Sequence, residues 1–284
     1  MLILILSIGT YGQIAPRPAS VPSNYVITPF GYFHPSCVRE IQRGQTVLGD
    51  GRIRFADGSE EAIPLVCSFP RYGANGQTIL NSSPLIIDWS WIEAGQVSNT
   101  SSSYGKIKAT WTVPPTPKTN HNQTLFFFPG FMDISNTQLI IQPVLGWNDG
   151  QQGVGPWNIA SWNCCPSGTA NYSTPVTVSP GDKILGTIKS ACKAGNKSCP
   201  KWNITTKDVT TGESTTLANT PSEGQIFNWA QSGVLEVYSI YKCTDFPPNG
   251  SIKFSNVALY DYNFKQITDP GWTAEYWVSK GRRS

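Results

Sequence analysis

Two polar side chains interrupt apolar stretches of this sequence, and both could do acid–base chemistry. Glu236 lies in "SGVLEVYSIY", residues 232–241, a run of β-branched and aromatic residues that reads as a strand. Alternation on a strand groups Val234, Glu236, Tyr238 and Ile240 on one face. Gln142 lies in "QLIIQPVLGW", where Ile140 and Val144 share its face. A carboxylate withdrawn from water needs a partner, a shifted pKa or a task. It can take a proton from water as a general base, while a nearby amide N–H holds that water and then donates to a developing oxyanion. That chemistry needs neither metal nor cofactor, and none is expected.

Other chemistries find little support. A serine or cysteine triad needs a histidine, and His34 and His121 are the only two. No G-x-S-x-G, H-E-x-x-H, P-loop or G-x-G-x-x-G occurs, and no C-x-x-C pair suggests zinc. "WNDGQQG" reads as a turn, because it lacks the spacing of a calcium loop. The formal charge is +3, and the one basic cluster is the terminal "KGRRS", so no nucleic-acid partner is expected. Two rival readings stay open. A lectin-like sandwich would use Trp and Tyr platforms on sugars, with Gln142 and Glu236 bonding hydroxyls. A glycoside hydrolase would pair Glu236 with Asp88, Glu93, Asp133 or Asp149 across roughly 5–9.5 Å.

Several segments in order carry a family resemblance: "YGKIKATWTVPPTP", "LIIQPVLGWN", "WNIASW", "TVSPGDKI", "WNITTKDVTTGE" and "GVLEVY…GSIKFSNV". Over roughly residues 104–260 the chain resembles the eqolisin-type glutamic peptidases, and more distantly the neprosin type, which uses two glutamates. The resemblance implies a concanavalin A-like sandwich, secretion, and peptide hydrolysis at acid pH. It places the catalytic pair on Gln142 and Glu236, with substrate contacts from Trp111, Trp147, Trp157 and Tyr238. It implies a polypeptide substrate, a glycan being the alternative partner. The chain departs from the family where "AEWIVEDF" becomes "SGVLEVYSIY", and in the stretch after Gln142.

The elements that must position these residues are strands. Charged residues are only 14% of the chain, while Gly and Pro number 26 and 22, the profile of a turn-rich β protein. Short apolar-alternating segments recur from residue 86 onward, among them 105–113, 123–129, 138–147, 157–163, 183–190, 202–208, 225–229, 233–241 and 251–261. The pattern predicts an all-β fold, a two-sheet antiparallel sandwich or jelly roll over 86–278. Two Asp-Gly pairs, at 50–51 and 57–58, predict a small N-terminal hairpin region. Residues 13–85 are expected to form a separable pro- or accessory region, and 279–284 a basic tail.

Residues 1–12 resemble a signal peptide, and no later run reaches the length of a membrane span. A secreted monomer is therefore expected. Sequons begin at Asn81, Asn99, Asn122, Asn171, Asn196, Asn203 and Asn249. In an oxidising compartment most of the seven cysteines should pair. Cys37 with Cys67 and Cys192 with Cys199 are the natural pairs, and Cys243 would take Cys164 or Cys165.

Overall fold

Strict alternation of inward apolar and outward polar residues builds one sheet, and runs buried on both faces build another. The computed structural model describes residues 4–7, 17–63, 65–79, 90–99, 101–137, 139–150, 155–165 and 168–276. The sequon at Asn81, the residue Asp88 and the tail 279–284 lie outside them, as do residues 8–12 of the expected signal segment.

In chain order the first strands are short: β1 (Leu4–Ser7), β2 (Val26–Thr28), β3 (Gly31–Phe33), β4 (Val38–Ile41), β5 (Thr46–Val47), β6 (Ile53–Arg54), β7 (Arg71–Tyr72) and β8 (Thr78–Ile79). Longer ones follow: β9 (Trp91–Ser98), β10 (Lys106–Thr112), β11 (Thr124–Met132), β12 (Ile140–Trp147) and β13 (Trp157–Cys164). After the short β14 (Ala170–Ser173) and β15 (Val176–Thr177) come β16 (Lys183–Ser190), β17 (Lys201–Asp208), β18 (Ser214–Pro221), β19 (Trp229–Tyr238), β20 (Ser251–Tyr260) and β21 (Thr273–Tyr276).

These strands make a two-sheet sandwich, as the pattern predicts. One sheet has the order β1-β20-β10-β16-β17-β18. The other runs β21-β9-β19-β11-β12-β13-β14-β4, with β15 also on β13. Pairing within both is antiparallel except between β14 and β4. Trp111, Ile184 and Phe254 of the first sheet meet Phe127, Leu145, Trp157 and Leu235 of the second in one part of the core, and Ile188 and Trp202 meet Phe131 and Ile141 in another. Gly186 marks a close approach of the two sheets: a Cβ there would strike Pro143 and the Trp111 ring.

The N-terminal region adds a third layer. The sheet β2-β3-β7-β8 lies over the outer face of the nine-stranded sheet. Phe30, Tyr32 and Phe33 pack there against Phe126, Phe128, Val144 and Trp162. Burial on both sides explains why β11, β12, β13 and β19 carry no exposed residue. Each buried phenylalanine contributes roughly 2–3 kcal/mol of transfer free energy to holding the layers together. Elsewhere β4 extends the edge of the large sheet, and Val47 and Ile53 of the β5–β6 hairpin join the sandwich core.

Two sequence expectations need correction here. In place of separate strands at 225–229 and 233–241 there is one strand, β19, running Trp229–Tyr238, and residues 225–228 and 239–241 lie outside it. Gly233 does not start a strand; it lies inside β19 because Phe254 packs where its Cβ would be. Ile240 does not share Glu236's face: Ser239 has φ 56°, which breaks the alternation, and Ile240 joins the inter-sheet core.

The disulfides are Cys37–Cys67, Cys192–Cys199 and Cys164–Cys165. Cys243, expected to pair with Cys164 or Cys165, carries a free, exposed thiol. The register explains the correction. Cys164 pairs with Ile140 at one end of β12, whereas Cys243 follows β19, whose end lies near Trp147 at the other. Eight residues of strand, roughly 25 Å, separate those ends.

Candidate functional site

The outer face of the nine-stranded sheet, under the N-terminal layer, carries polar groups in two tiers. Glu236, on central strand β19, has no exposed surface. Its Oε1 accepts from the Tyr238 hydroxyl at 2.6 Å and the Ser90 hydroxyl at 3.3 Å, and Oε2 accepts from Trp91 Nε1 at 3.0 Å. Tyr238 is two residues along the strand, so alternation brings it onto the same face. Trp91 is the cross-strand partner of Glu236 on β9. Three donors satisfy a buried carboxylate. Tyr32 of the N-terminal layer closes the site, its ring edge-on to Tyr238 at 5.4 Å.

Gln142 is equally buried, on the same face of β12 as Ile140 and Val144. Its Nε2 donates at 2.9 Å to the Pro29 carbonyl, in the N-terminal segment crossing the face, and its Oε1 has no partner among the described residues. The structure does not bring Gln142 and Glu236 together. Glu236 pairs with Phe126, and Phe126 with Gly146, which is four residues along β12 from Gln142. Two strand spacings across and four residues along separate the two backbones by roughly 16 Å.

The group level with Gln142 is another amide, which the sequence reading passed over. The register sets Gly130 opposite Gln142, and Gly130 pairs with Gln231 on β19. Gln231 is fully buried, and its side chain lies across Gly130, with Oε1 3.0 Å from where a Cβ would sit. Neither end of that amide has a hydrogen-bond partner among the described residues. The signal was a polar amide in "WAQSG" at the head of the same strand as Glu236. On the neighbouring strand, Gln96 pairs with Gln231 and accepts from Trp229 Nε1 at 2.9 Å.

The carboxylate tier also has a second member. Asp149 folds back over Gly146, its Oδ2 occupying the place of a Cβ, and its Oδ1 accepts from Asn158 Nδ2 at 2.8 Å. Gly146 is level with Glu236, so the two carboxylates share a tier with the Phe126 strand between them. Asp149 was one of four candidate second carboxylates. Of the others, Asp133 is spent on the backbone amides of Ser135, Asn136 and Ile226.

Asp149 opens into a cleft of about 800 Å³ between the N-terminal layer and the sheet. Glu40, His121, Tyr172 and Tyr32 also line it. Burial first, and then the charges of Glu40 and Asp149, push the Tyr172 hydroxyl up to about 12. At the rim, His121 Nδ1 bonds the buried Asp245 at 2.7 Å. Burial raises the Asp245 pKa, but bonds from Thr119, the Tyr241 amide, His121 and the Lys242 amide outweigh it and hold the carboxyl below its usual value.

Of the expected substrate contacts, only Tyr238 faces this site. Trp111, Trp147 and Trp157 point the other way, into the inter-sheet core, with 2%, 4% and 1% exposure. Alternation dictates this: Trp147 and Leu145 face the core, whereas Val144 and Gln142 face the groove. Asn171, named as a sequon, is fully buried on β14 with its amide nitrogen on Thr169, which leaves no room for a glycan. Asn122, Asn196 and Asn249 are exposed, and Asn99 and Asn203 are partly so.

The N-terminal layer is anchored beside the groove at β13. Arg71 Nη1 reaches Cys165 Sγ at 2.6 Å, and its guanidinium lies over the Phe30 and Phe33 rings at 4.8 and 5.6 Å. No helix among the described residues is long and apolar enough to cross a membrane.

No protein-family model matches the chain, and no curated protein matches it. Among solved structures it is similar to a scytalido-glutamic peptidase bound to a peptide-based transition-state analogue, at 13% identity and TM-score 0.44, over 65% of this chain and 85% of that one. It is similar to SCP-B, a member of the eqolisin family of peptidases in complex with the tripeptide Ala-Ile-His, at 16% identity and TM-score 0.41, over the same shares. A Xenopus laevis galectin-Ib matches at 14% identity and TM-score 0.31, over 59% of this chain and 100% of that one.

Proposed function

We propose that the chain is a secreted, glutamic-peptidase-like hydrolase whose groove takes an extended polypeptide, and that its own N-terminal layer now occupies that groove. One observation carries the reading. The buried Gln142 amide donates at 2.9 Å to a peptide carbonyl, that of Pro29, in a segment lying across the sheet. A substrate carbonyl in that place would receive the same bond. Gln231, alongside, offers a second amide whose donors and acceptor are unused among the described residues. The amide tier therefore binds backbone.

Hydrolysis is assigned to the carboxylate tier. Glu236 would take a proton from water as the water oxygen bonds the carbonyl carbon, and give that proton to the amine as the C–N bond breaks. Tyr238 and Trp91, which now donate to Glu236, are the groups positioned to turn toward the oxyanion. Gln142 and Glu236 thus act at different points of one bound chain instead of on one bond. The groove opens only when the layer of residues 17–79 leaves. Its disulfide, Cys37–Cys67, is internal to the layer, so a cut within 80–89 would leave only noncovalent contacts to break.

The test is to place a specific protease site in 80–89, nick the full chain, and assay cleavage of a denatured protein between about pH 2 and 6. Nicked wild type should cut, and Glu236→Gln should not. Cleavage unaffected by Glu236→Gln, or no cleavage by nicked wild type, overturns the assignment.

A second reading rests on Asp149. Its carboxylate lies over Gly146, two strand spacings or roughly 10 Å from the Glu236 backbone. That approaches the carboxyl spacing of glycoside hydrolases. Loss of a glycan-cleaving activity in both Asp149→Asn and Glu236→Gln would select this reading.

A further inference from the structure

The outward face of the six-stranded sheet is a lattice of lysines with no carboxylate among them. Lys106 and Lys108 on β10, Lys183 and Lys189 on β16, and Lys201 and Lys207 on β17 all take outward positions. Lys253 on β20 adds a seventh. No Asp or Glu takes an outward position on these strands; Asp208, the one acid within them, points inward and is fully buried. Among the described residues no lysine enters an ion pair. The whole chain is only +3, so the sheet gathers its cations on one side.

This arrangement runs against sheet stability. Lys106 stands directly opposite Lys189, and like charges facing each other across strands destabilise the pair. Lys106 is held below the usual lysine value, first by partial burial and then by Lys108 and Lys189. Inward burial does not call for lysine at these positions; threonine fills the equivalent outward places at Thr110, Thr187 and Thr205. A feature that costs stability and that packing does not require points to a ligand of opposite charge.

We propose that this face docks an acidic polysaccharide of the polyuronate class. Lys106 and Lys108 lie about 7 Å apart along β10 and Lys106 faces Lys189 about 5 Å away, with Lys201 beyond; Lys183, Lys207 and Lys253 form a second group about 20 Å along the strands. Between them lie hydroxyls and an amide, Thr110, Thr187, Thr205, Thr216 and Asn203, which suit sugar hydroxyls. The face lacks what other polyanions would use. It has no arginine for bidentate phosphate contacts and no free aromatic for base stacking. Tyr260 and Phe264 at its margin already lie under Lys106 and Lys189. Its apolar side chains are few for a lipid surface: the half-buried Leu185, and Val209 in the turn after β17. This face lies on the opposite side of the sandwich from the groove, so the inference stands apart from the peptidase reading.

The test uses the full chain, enzymatically deglycosylated so that Asn203 stays bare, and unesterified polygalacturonate as the probe. Binding should be strong at about 50 mM salt, be largely lost at about 500 mM as charges are screened, and be absent on fully methyl-esterified polygalacturonate. The triple variant Lys106→Gln, Lys108→Gln, Lys189→Gln should bind about 100-fold more weakly, three charges at the strength typical of a lysine near an anionic surface. Its unfolding temperature should not fall. Lys118→Gln with Lys242→Gln, in loops near His121, should bind as wild type. Equal binding by the triple variant, or equal binding to the esterified polymer, overturns the proposal. Tighter, lysine-dependent binding to phosphatidylserine vesicles or duplex DNA than to polygalacturonate overturns the choice of ligand.

Discussion

The two sheets of the sandwich are built under different rules, and the difference shows in their sequences. The six-stranded sheet has one face on the core and one in water. Its strands β16 and β17 alternate buried and exposed residues without a break. The nine-stranded sheet is covered on both sides, and its central strands are buried at every position. In the first sheet a polar residue is ordinary and a charge stays solvated. In the second, each polar residue stands in a low-dielectric layer and must be bonded or used. That is why Glu236, Gln142, Gln231 and Asp149 mark a site while seven lysines mark a surface.

Truncation should give the largest contrast between the sheets. Phe126→Ala, between the carboxylates in the doubly covered sheet, should cost about 3–5 kcal/mol in denaturant unfolding. Thr187→Ala on the outer face of the other sheet should stay within about 0.5 kcal/mol. Similar costs for both would mean that the N-terminal layer does not exclude water from the face it covers. Next in size is Gly233→Ala. Its Cβ would sit 2.4 Å from the Phe254 ring, and overpacking of this kind costs about 1–3 kcal/mol. Gly49→Ala, with nothing nearby, should be neutral by the same measurement.

Asp245, at the rim of the cleft, sharpens the comparison through pH. Its folded pKa is lowered, so the stability it contributes is present above the carboxylate's unfolded value, about 4, and is lost as pH falls through the lower folded value. Thermal unfolding of wild type should therefore weaken below about pH 4, and Asp245→Asn should flatten that slope. A slope unchanged in the variant would show that other carboxylates set it. The smallest effect belongs to the lysine face. Lys106→Gln removes repulsion from Lys108 and Lys189, and should raise stability by a few tenths of a kcal/mol at low salt and by less at high salt.

The same contrast explains what the sequence disclosed. Strands β10, β16, β17 and β20 were legible nearly to the residue, because one-sided burial writes a period of two. The Cys37–Cys67 and Cys192–Cys199 bridges were legible because short segments bring their ends together. In the covered sheet, the apolar background made Gln142 and Glu236 conspicuous, and both do face one side. Their separation was hidden, because it depends on the register across β11 and not on either strand alone. Gln231 was hidden for the same reason, since it matters through Gly130 on the next strand; Asp149 was one of four candidate carboxylates, and only its fold-back over Gly146, three residues earlier, singles it out. Trp147 and Trp157 suggested platforms, but in a sheet buried on both sides residue type does not tell groove from core; Trp111, on β10 of the other sheet, fills the inward, core-facing position of its alternation. The third layer was foreshadowed only as a separate region, since its contacts join residues more than a hundred positions apart, such as Pro29 and Gln142.

The central claim is that the groove, once freed of its own N-terminal layer, binds and cuts polypeptide through Glu236. The most direct measurement is the rate at which the full chain, nicked within 80–89, hydrolyses a denatured protein between about pH 2 and 6, beside the same nicked chain carrying Glu236→Gln. The account predicts cleavage by wild type and a rate at least about 100-fold lower in the variant. Equal rates, or an inert wild type that has released residues 17–79, would contradict it.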